Sequence, residues 1–263
     1  MANRVPPVET SPEALAALFG RDRAVHAYGL ADLEEPFWSQ GRWYRRENAA
    51  VGILELDDAE VAIVYCVSAR ANAETIGLLV DLAAAGELPP HSFLTGPMGA
   101  GQALAPWFDA RWCAPHTRMR LADRRLAARP SPDLVGLRRV DLAAIERLFD
   151  AAPDHGRFFT PSMLDTGAYL GRFLGDALIA MAGVHVVSAH YRVAAIGNVV
   201  TDPDHRRRGH AADLVRGVCA QLTPTTDEIS LNVSDDNVAA LRLYDGLGFE
   251  VVIAFEEGEF VAR

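Results

Sequence analysis

The 263-residue chain predicts a mixed α/β protein assembled from two modules, and three observations carry that reading. Twice along the chain an apolar strand-like run is followed by a helical apolar pattern and a further strand: residues 60–67, 71–85 and the region of Phe93, then residues 192–201, 209–222 and 228–234. All four tryptophans, Trp38, Trp43, Trp107 and Trp112, fall in the first half, which is a compositional break. A Pro/Ser-rich stretch at 127–133 follows and reads as a linker, which divides the chain near residue 130 into domains 1–129 and 130–263.

In the first half, residues 12–19 read as a helix with Ser11 as its cap. Residues 51–56 and 60–67 read as strands around an Asp57-Asp58 turn. The helix over 71–85 carries Ile76, Leu79, Val80 and Ala83 on one side, ahead of a short strand near Phe93. The glycine run Gly96-Pro97-Met98-Gly99-Ala100-Gly101 reads as a flexible loop before a helix. A phosphate loop is disfavoured there, because no strand leads straight into it and it contains no basic residue.

The second half opens with a strand over 134–140, then a helix with Leu142, Ile145, Leu148 and Phe149 on one face and Asp141 near its start. Residues 169–174, 177–188 and 192–201 read as antiparallel strands joined by turns at Gly175-Asp176 and Ala189-His190-Tyr191. Gly197-Asn198, inside the third strand, is where a bulge is expected. The strand runs through Val199, Val200 and Thr201 into a turn bearing Arg206, Arg207, Arg208, Gly209, His210 and Ala211. A helix follows, with Leu214, Val215, Val218, Cys219 and Leu222 on its apolar face. Free N–H groups in the first turn, the positive helix end and the arginines together suit an anion.

Residues 228–234 alternate Ile229, Leu231 and Val233 with Ser230, Asn232 and Ser234, the pattern of a strand with one polar face. Ser234 is expected to cap the next helix, with Asp235 and Asp236 in its first turn. Gly248 ends that helix before a strand over 249–253.

Two spaced motifs in this half, Arg206-x-x-Gly209-x-Ala211 and Asn237-x-x-Ala240-x-x-x-Tyr244-x-x-x-Gly248-Phe249, resemble those of the GNAT acyltransferase superfamily, in the same order. The resemblance covers about residues 133–263. It is closest to the subgroup in which a degenerate module of similar shape precedes the catalytic one. It implies tandem GNAT-like modules, the second with a mixed sheet splayed between residues 195–201 and 228–234. The first module lacks the arginine-glycine turn and is expected to bind no cofactor.

The resemblance further implies an acyl-CoA, acetyl-CoA or another short acyl-CoA, as donor. Backbone groups of Val199, Val200 and Thr201 would pair with its pantetheine arm and polarise the thioester carbonyl. The turn of Arg206, Arg207, Arg208, Gly209, His210 and Ala211 would bind the pyrophosphate. Asn237 and Ala240 would hold the cofactor, Asn232 would orient pantetheine or substrate, and Tyr244 would protonate the leaving sulfur. For Asn237 the alternative is simple helix capping, and for Tyr244 a half-buried aromatic. Many relatives carry a glutamate on the strand before the turn, but residues 193–200 contain no acid, only Asn198. His185 is the substitute base, since a near-neutral pKa suits removing a proton from an amine; a structural strand histidine is the alternative.

Half of the residues are hydrophobic, enough for a large core. A net charge of -10 argues against a nucleic-acid partner. With no bilayer-length apolar run and no signal-like amino end, the expectation is no membrane association. Three scattered cysteines, Cys66, Cys113 and Cys219, suggest reduced cytoplasmic thiols and no metal site. All 25 basic residues are arginine, so lysine chemistry is excluded.

The expected activity is acyl-CoA-dependent N-acyl transfer to a small amine, amino acid or peptide, by a monomer or homodimer. The alternatives are a non-catalytic acyl-CoA-binding regulator and an O-acetyltransferase. Asp235, Asp236, Glu256, Glu257 and Glu259 hint at a cationic acceptor, although loop acids are commonly just solvated.

Overall fold

The computed structural model describes residues 5–57, 61–125, 133–153 and 158–263. Asp58 of the expected turn and residues 127–132 of the expected linker lie outside them. The chain forms two compact units. The first comprises Met1–Arg118, Val233–Asp236 and Val252–Arg263; the second comprises Met119–Asn232 and Asn237–Val251. Each is a mixed α/β structure with helices flanking its strands.

The elements of the first part of the chain are β1 (Val8–Glu9), α1 (Pro12–Phe19), α2 (Ala27–Ala31), β2 (Gly41–Arg46), β3 (Ala49–Leu54), β4 (Ala62–Tyr65), α3 (Asn72–Ala84), β5 (His91–Gly96), α4 (Ala100–Leu104) and β6 (Phe108–Leu121). Ser11 caps α1 as expected, its hydroxyl accepting the Ala14 N–H at 3.1 Å, an interaction of about 1 kcal/mol. β2, β3 and β4 form an antiparallel meander, and α3 then crosses to β5, which lies parallel to β4. Leu78, Leu79, Leu82 and Ala83 of α3 bury against Val51, Ile53 and Val64. At about 1.5 to 3 kcal/mol for each large side chain, that face outweighs the helix's weak intrinsic propensity.

Strands β2 and β6 have no counterpart in the sequence reading. Arginines at 42, 45 and 46 hide β2's alternation, yet they are taken up by ion pairs with Glu55, Glu9 and Asp81 at 3.4, 2.9 and 2.6 Å. β6 hides Arg118, which is 0% exposed, donates to the Val25 carbonyl and stacks over Tyr28 and Phe255 at 4.8 and 5.2 Å.

The remaining elements are β7 (Val135–Gly136), α5 (Leu142–Ala151), β8 (Leu170–Leu174), β9 (Ala177–Ser188), β10 (Val193–Thr201), α6 (His210–Leu222), β11 (Glu228–Ser234), α7 (Val238–Gly246) and β12 (Phe249–Ala262). In the second unit β8, β9 and β10 repeat the meander, and α6 crosses to β11, parallel to β10. Thus the same meander and crossover occur in both units. The strand expected over 134–140 shrinks to β7, because the chain enters a 3-10 turn at Arg139–Asp141, in which the Asp141 carboxylate accepts the Arg138 N–H at 2.8 Å. The expected Ser234 cap is corrected as well: Ser234 ends β11, and Asn237 caps α7.

The glycine run of the first unit also differs from expectation, for β5 runs directly into Gly96. Its amides are nonetheless occupied from within: the Glu256 carboxylate of β12 accepts the Gly99 N–H at 3.0 Å and the Gly101 N–H.

Candidate functional site

β10 joins β11 through the parallel pairs Val193↔Glu228 to Ile196↔Leu231, and there the pairing stops, while β10 runs on to Thr201. On the β9 side its register slips between Ala195 and Ile196 and again between Gly197 and Val200. Asn198 sits at φ 51°, so the bulge falls where Gly197-Asn198 suggested. Val200 and Thr201 still pair with Met181 and Ala180, which fixes Val199–Thr201 from one side only. A strand edge past its last rung can pair with an extended ligand.

Beyond Thr201 the chain makes a 3-10 turn in which Asp202 accepts the Asp204 N–H at 2.8 Å. Arg206 and Arg208 are exposed and held to the turn, the first on the Thr201 carbonyl and the second on that of Asp204, both at 3.2 Å. Arg207 and Gly209 take left-handed torsions, φ 62° and 84°. Gly209 is the N-cap of α6 and supplies no side-chain acceptor to the first turn, which contains His210 and Ala211. A Cβ at Gly209 would meet nothing within 4 Å, so backbone torsion selects glycine here, not crowding. Uncapped amides, a positive helix end and exposed arginines make this turn an anion cradle.

Arg172 of β8, absent from the sequence reading, supports that cradle. Its guanidinium meets His210 Nδ1 at 3.0 Å and donates to Asp213 at 3.1 Å. Guanidinium only donates, so Nδ1 must accept and the His210 proton sits on Nε2. Burial, helped by Arg172, His205 and Arg208, lowers the His210 pKa and keeps the ring neutral. A single arginine within an otherwise apolar five-residue strand was the available signal.

Asn237 accepts the Ala240 N–H at 3.1 Å, so capping, one of its two expected roles, is what its side chain does. Tyr244 is 7% exposed and packs edge-on against Phe249, with centroids 5.8 Å apart at 61°. Burial, with Cys219 nearby, pushes its phenol up to about 12, which keeps the hydroxyl protonated. Asn232 is partly buried on the polar face of β11.

His185 lies on β9 with its ring across Gly197, where a Cβ would come within 2.3 Å of Cδ2 and Nε2. Burial lowers its pKa to about 4, against the near-neutral value expected, and a hydrogen bond with Asn198 opposes part of that fall. Asn198 Nδ2 also donates to the Tyr169 hydroxyl at 2.8 Å, which donates to the Val184 carbonyl at 2.7 Å.

The acids that hinted at a cationic acceptor are largely committed within the first unit. Glu256 serves Gly99 and Gly101, Glu257 faces His116 at 3.5 Å, and Glu259 bonds His91 at 2.6 Å and Arg111 at 3.0 Å. Asp235 accepts the Thr117 hydroxyl at 2.7 Å. The three glutamates lie on β12, not in loops, so they give no support to a cationic acceptor.

Strand bulge, uncapped crossover helix and second parallel strand together form one mixed α/β module. Residues 140–249 match the family model described as the acetyltransferase (GNAT) family, and this part of the chain is similar to that family. Solved structures extend the similarity in fold to nearly the whole chain. A putative GNAT acetyltransferase from Novosphingobium aromaticivorans is 22% identical, with 89% of this chain and 96% of that one covered and a TM-score of 0.61. A Drosophila protein is 15% identical over 97% of both chains, at a TM-score of 0.69. A tandem GNAT protein from the clavulanic acid biosynthesis pathway is 16% identical over 98% and 97%, at 0.52. No curated protein matches the chain.

Proposed function

We propose that this protein moves an acyl group, acetyl in the first instance, from an acyl-CoA to a primary amine of a small molecule, amino acid or peptide. The observation that carries the reading is the first turn of α6, opened by Gly209 at φ 84° without a side-chain cap, beside Arg206, Arg207 and Arg208. The donor set fits a pyrophosphate: main-chain N–H groups from Gly209 to Ala211, arginine cations and the Nε2–H of His210. When bound, the acyl-CoA supplies an activated thioester and a thiolate leaving group.

The backbone of Val199, Val200 and Thr201, past the last β11 rung, pairs with the pantetheine arm and polarises the carbonyl. Tyr244, held protonated, is the proton source for the departing sulfur. Asn237 contributes by fixing the start of α7, with Ala240 in its first turn, and Asn232 orients the arm from β11. His185, with a pKa near 4, is too weak a base to strip a free ammonium, so the amine must arrive neutral.

Free thiols at Cys66, Cys113 and Cys219 accord with a reducing, cytoplasmic setting, and a monomer or homodimer suffices for this chemistry. Among the described residues no helix is long and apolar enough to cross a membrane, and no group of metal-binding side chains is present.

The deciding experiment incubates the purified protein with acetyl-CoA and a broad panel of amines, with mass detection of product and measurement of released CoA. Acylated amine is the expected result. Tight acetyl-CoA binding without turnover would replace this reading with a regulator, and products acylated on hydroxyls would replace the amine. The rate should rise with pH along the ionisation of the chosen amine, with no enzyme acid limb above about pH 5.

A further inference from the structure

The first turn of α6 has no side-chain cap of its own, because its N-cap is Gly209. A side chain from outside the helix spans it instead. Arg172 of β8 reaches His210 Nδ1 with one guanidinium nitrogen at 3.0 Å and donates with the other to Asp213 at 3.1 Å. His210 and Asp213 are three residues apart, so they are neighbours on one side of the helix. The Asp213 N–H closes the same turn, donating to the Gly209 carbonyl at 3.1 Å. The guanidinium thus clamps the turn through two side chains, without using the main-chain amides at its start.

Arg172 is held in one place by its partners. Its side chain is 16% exposed, and a cation so far from water keeps its carboxylate, which Asp213 also shares with Arg216 at 3.4 Å. Guanidinium only donates, so His210 Nδ1 can only accept. A second ring proton would have to sit on Nδ1, against that N–H and beside a positive charge. The titratable and charged groups around the ring are Arg172 on β8, His205 and Arg208 in the turn, and Asp213 on α6, and Asp213 alone among them favours protonation. Nε2 makes no hydrogen bond among the described residues, and the ring is partly exposed. Its N–H joins the arginines and the main-chain amides as a donor whose state does not change between about pH 6 and 8.

We propose that Arg172 is a positioning residue: anchored by Asp213, it holds His210 as a neutral Nε2–H donor, so that the cradle takes up a pyrophosphate without binding a proton. The ligand rests on the proposed function; the state of the ring does not. The probe is dephospho-CoA, which keeps the pyrophosphate but lacks the phosphomonoester, a group that itself titrates near about pH 6. Calorimetry in buffers of different ionisation enthalpy counts the protons taken up on binding, and NMR follows the His210 ring in the ligand-free protein.

The parent protein should take up no proton at pH 6.5 and bind equally well at pH 6 and pH 8. Arg172→Met keeps an apolar stem but removes donor and charge. Its His210 should titrate at a higher pH than in the parent. Its affinity should rise about fivefold from pH 8 to pH 6, the gain expected when an anion raises an imidazole pKa by about one unit. Adding His210→Gln to that variant should flatten the profile again, an outcome that a merely structural role for Arg172 does not give. Proton uptake by the parent would overturn the inference, even if Arg172→Met failed to fold. So would a His210 titration, or a flat affinity profile, that Arg172→Met leaves as in the parent. A parent that binds no dephospho-CoA would remove the pyrophosphate reading of the proposed function, and the ring titration alone would then decide the role of Arg172.

Discussion

A glycine and a tyrosine bound what single residues do in this site. Gly209 occupies φ 84° with open space where a side chain would go, so Gly209→Ala tests torsion alone. A non-glycine residue there costs about 1 to 2 kcal/mol, which should appear as a lower unfolding midpoint and weaker CoA binding by calorimetry. Tyr244 is raised to about 12 and stays a donor throughout the working range. Tyr244→Phe should therefore cut kcat about a hundredfold, the usual scale of general acid catalysis, while acetyl-CoA affinity stays within roughly twofold. Unaltered turnover would remove Tyr244 from the acid role. Replacing Arg206 and Arg208 with alanine should weaken CoA binding by about tenfold for each arginine, with the loss largest at low salt.

At the scale of elements, β10 shows why some features were legible and others were not. Its bulge was announced by Gly197-Asn198, since glycine and asparagine are the residues that local backbone distortion selects. The turn into α6 was legible for a similar reason: arginines, a glycine and an apolar helical stripe lie within one short stretch of chain. The contacts of Tyr169 with Val184 and Asn198 were not, because Val184 lies on β9, Asn198 on β10 and Tyr169 just ahead of β8, and only the folded arrangement brings them together. β2 and β6 escaped notice because arginines that interrupt an apolar alternation look solvated until their partners, distant in sequence, are known. The glycine pair in β9 and β10 yields a prediction of its own. Gly197→Ala drives a methyl into the His185 ring at 2.3 Å and should destabilise the protein by about 1 to 3 kcal/mol in denaturant unfolding, with the His185 resonances displaced.

For the whole molecule, acid stability follows from buried titratable groups. His26 is lowered to about 3, by burial and then by Arg118, and His185 to about 4, both from 6.5. The unfolded chain therefore binds more protons at these sites between about pH 4 and 6.5, and stability is lost as the pH falls through that window. Asp32, raised to about 7 by burial, acts oppositely: it favours the folded state at low pH and stops doing so as the pH climbs towards 7. Two histidines outweigh one aspartate, so the thermal midpoint should drop from pH 6.5 to pH 4, and should drop less in His185→Gln. An equal drop in that variant would contradict the assignment to His185.

β12 has a consequence for the order in which the protein can be made. Its residues Glu256 to Val261 pair with Gly96 to His91 of β5, and Glu256 quiets the amides of Gly99 and Gly101. Until those residues leave the ribosome, β5 presents a bare edge and the glycine turn lacks its carboxylate. Vectorial synthesis therefore delivers the first unit's sequence early but its closing strand late, after α6 and β11 have been made. A chain stalled before residue 252 should expose β5 to proteases that the finished protein resists.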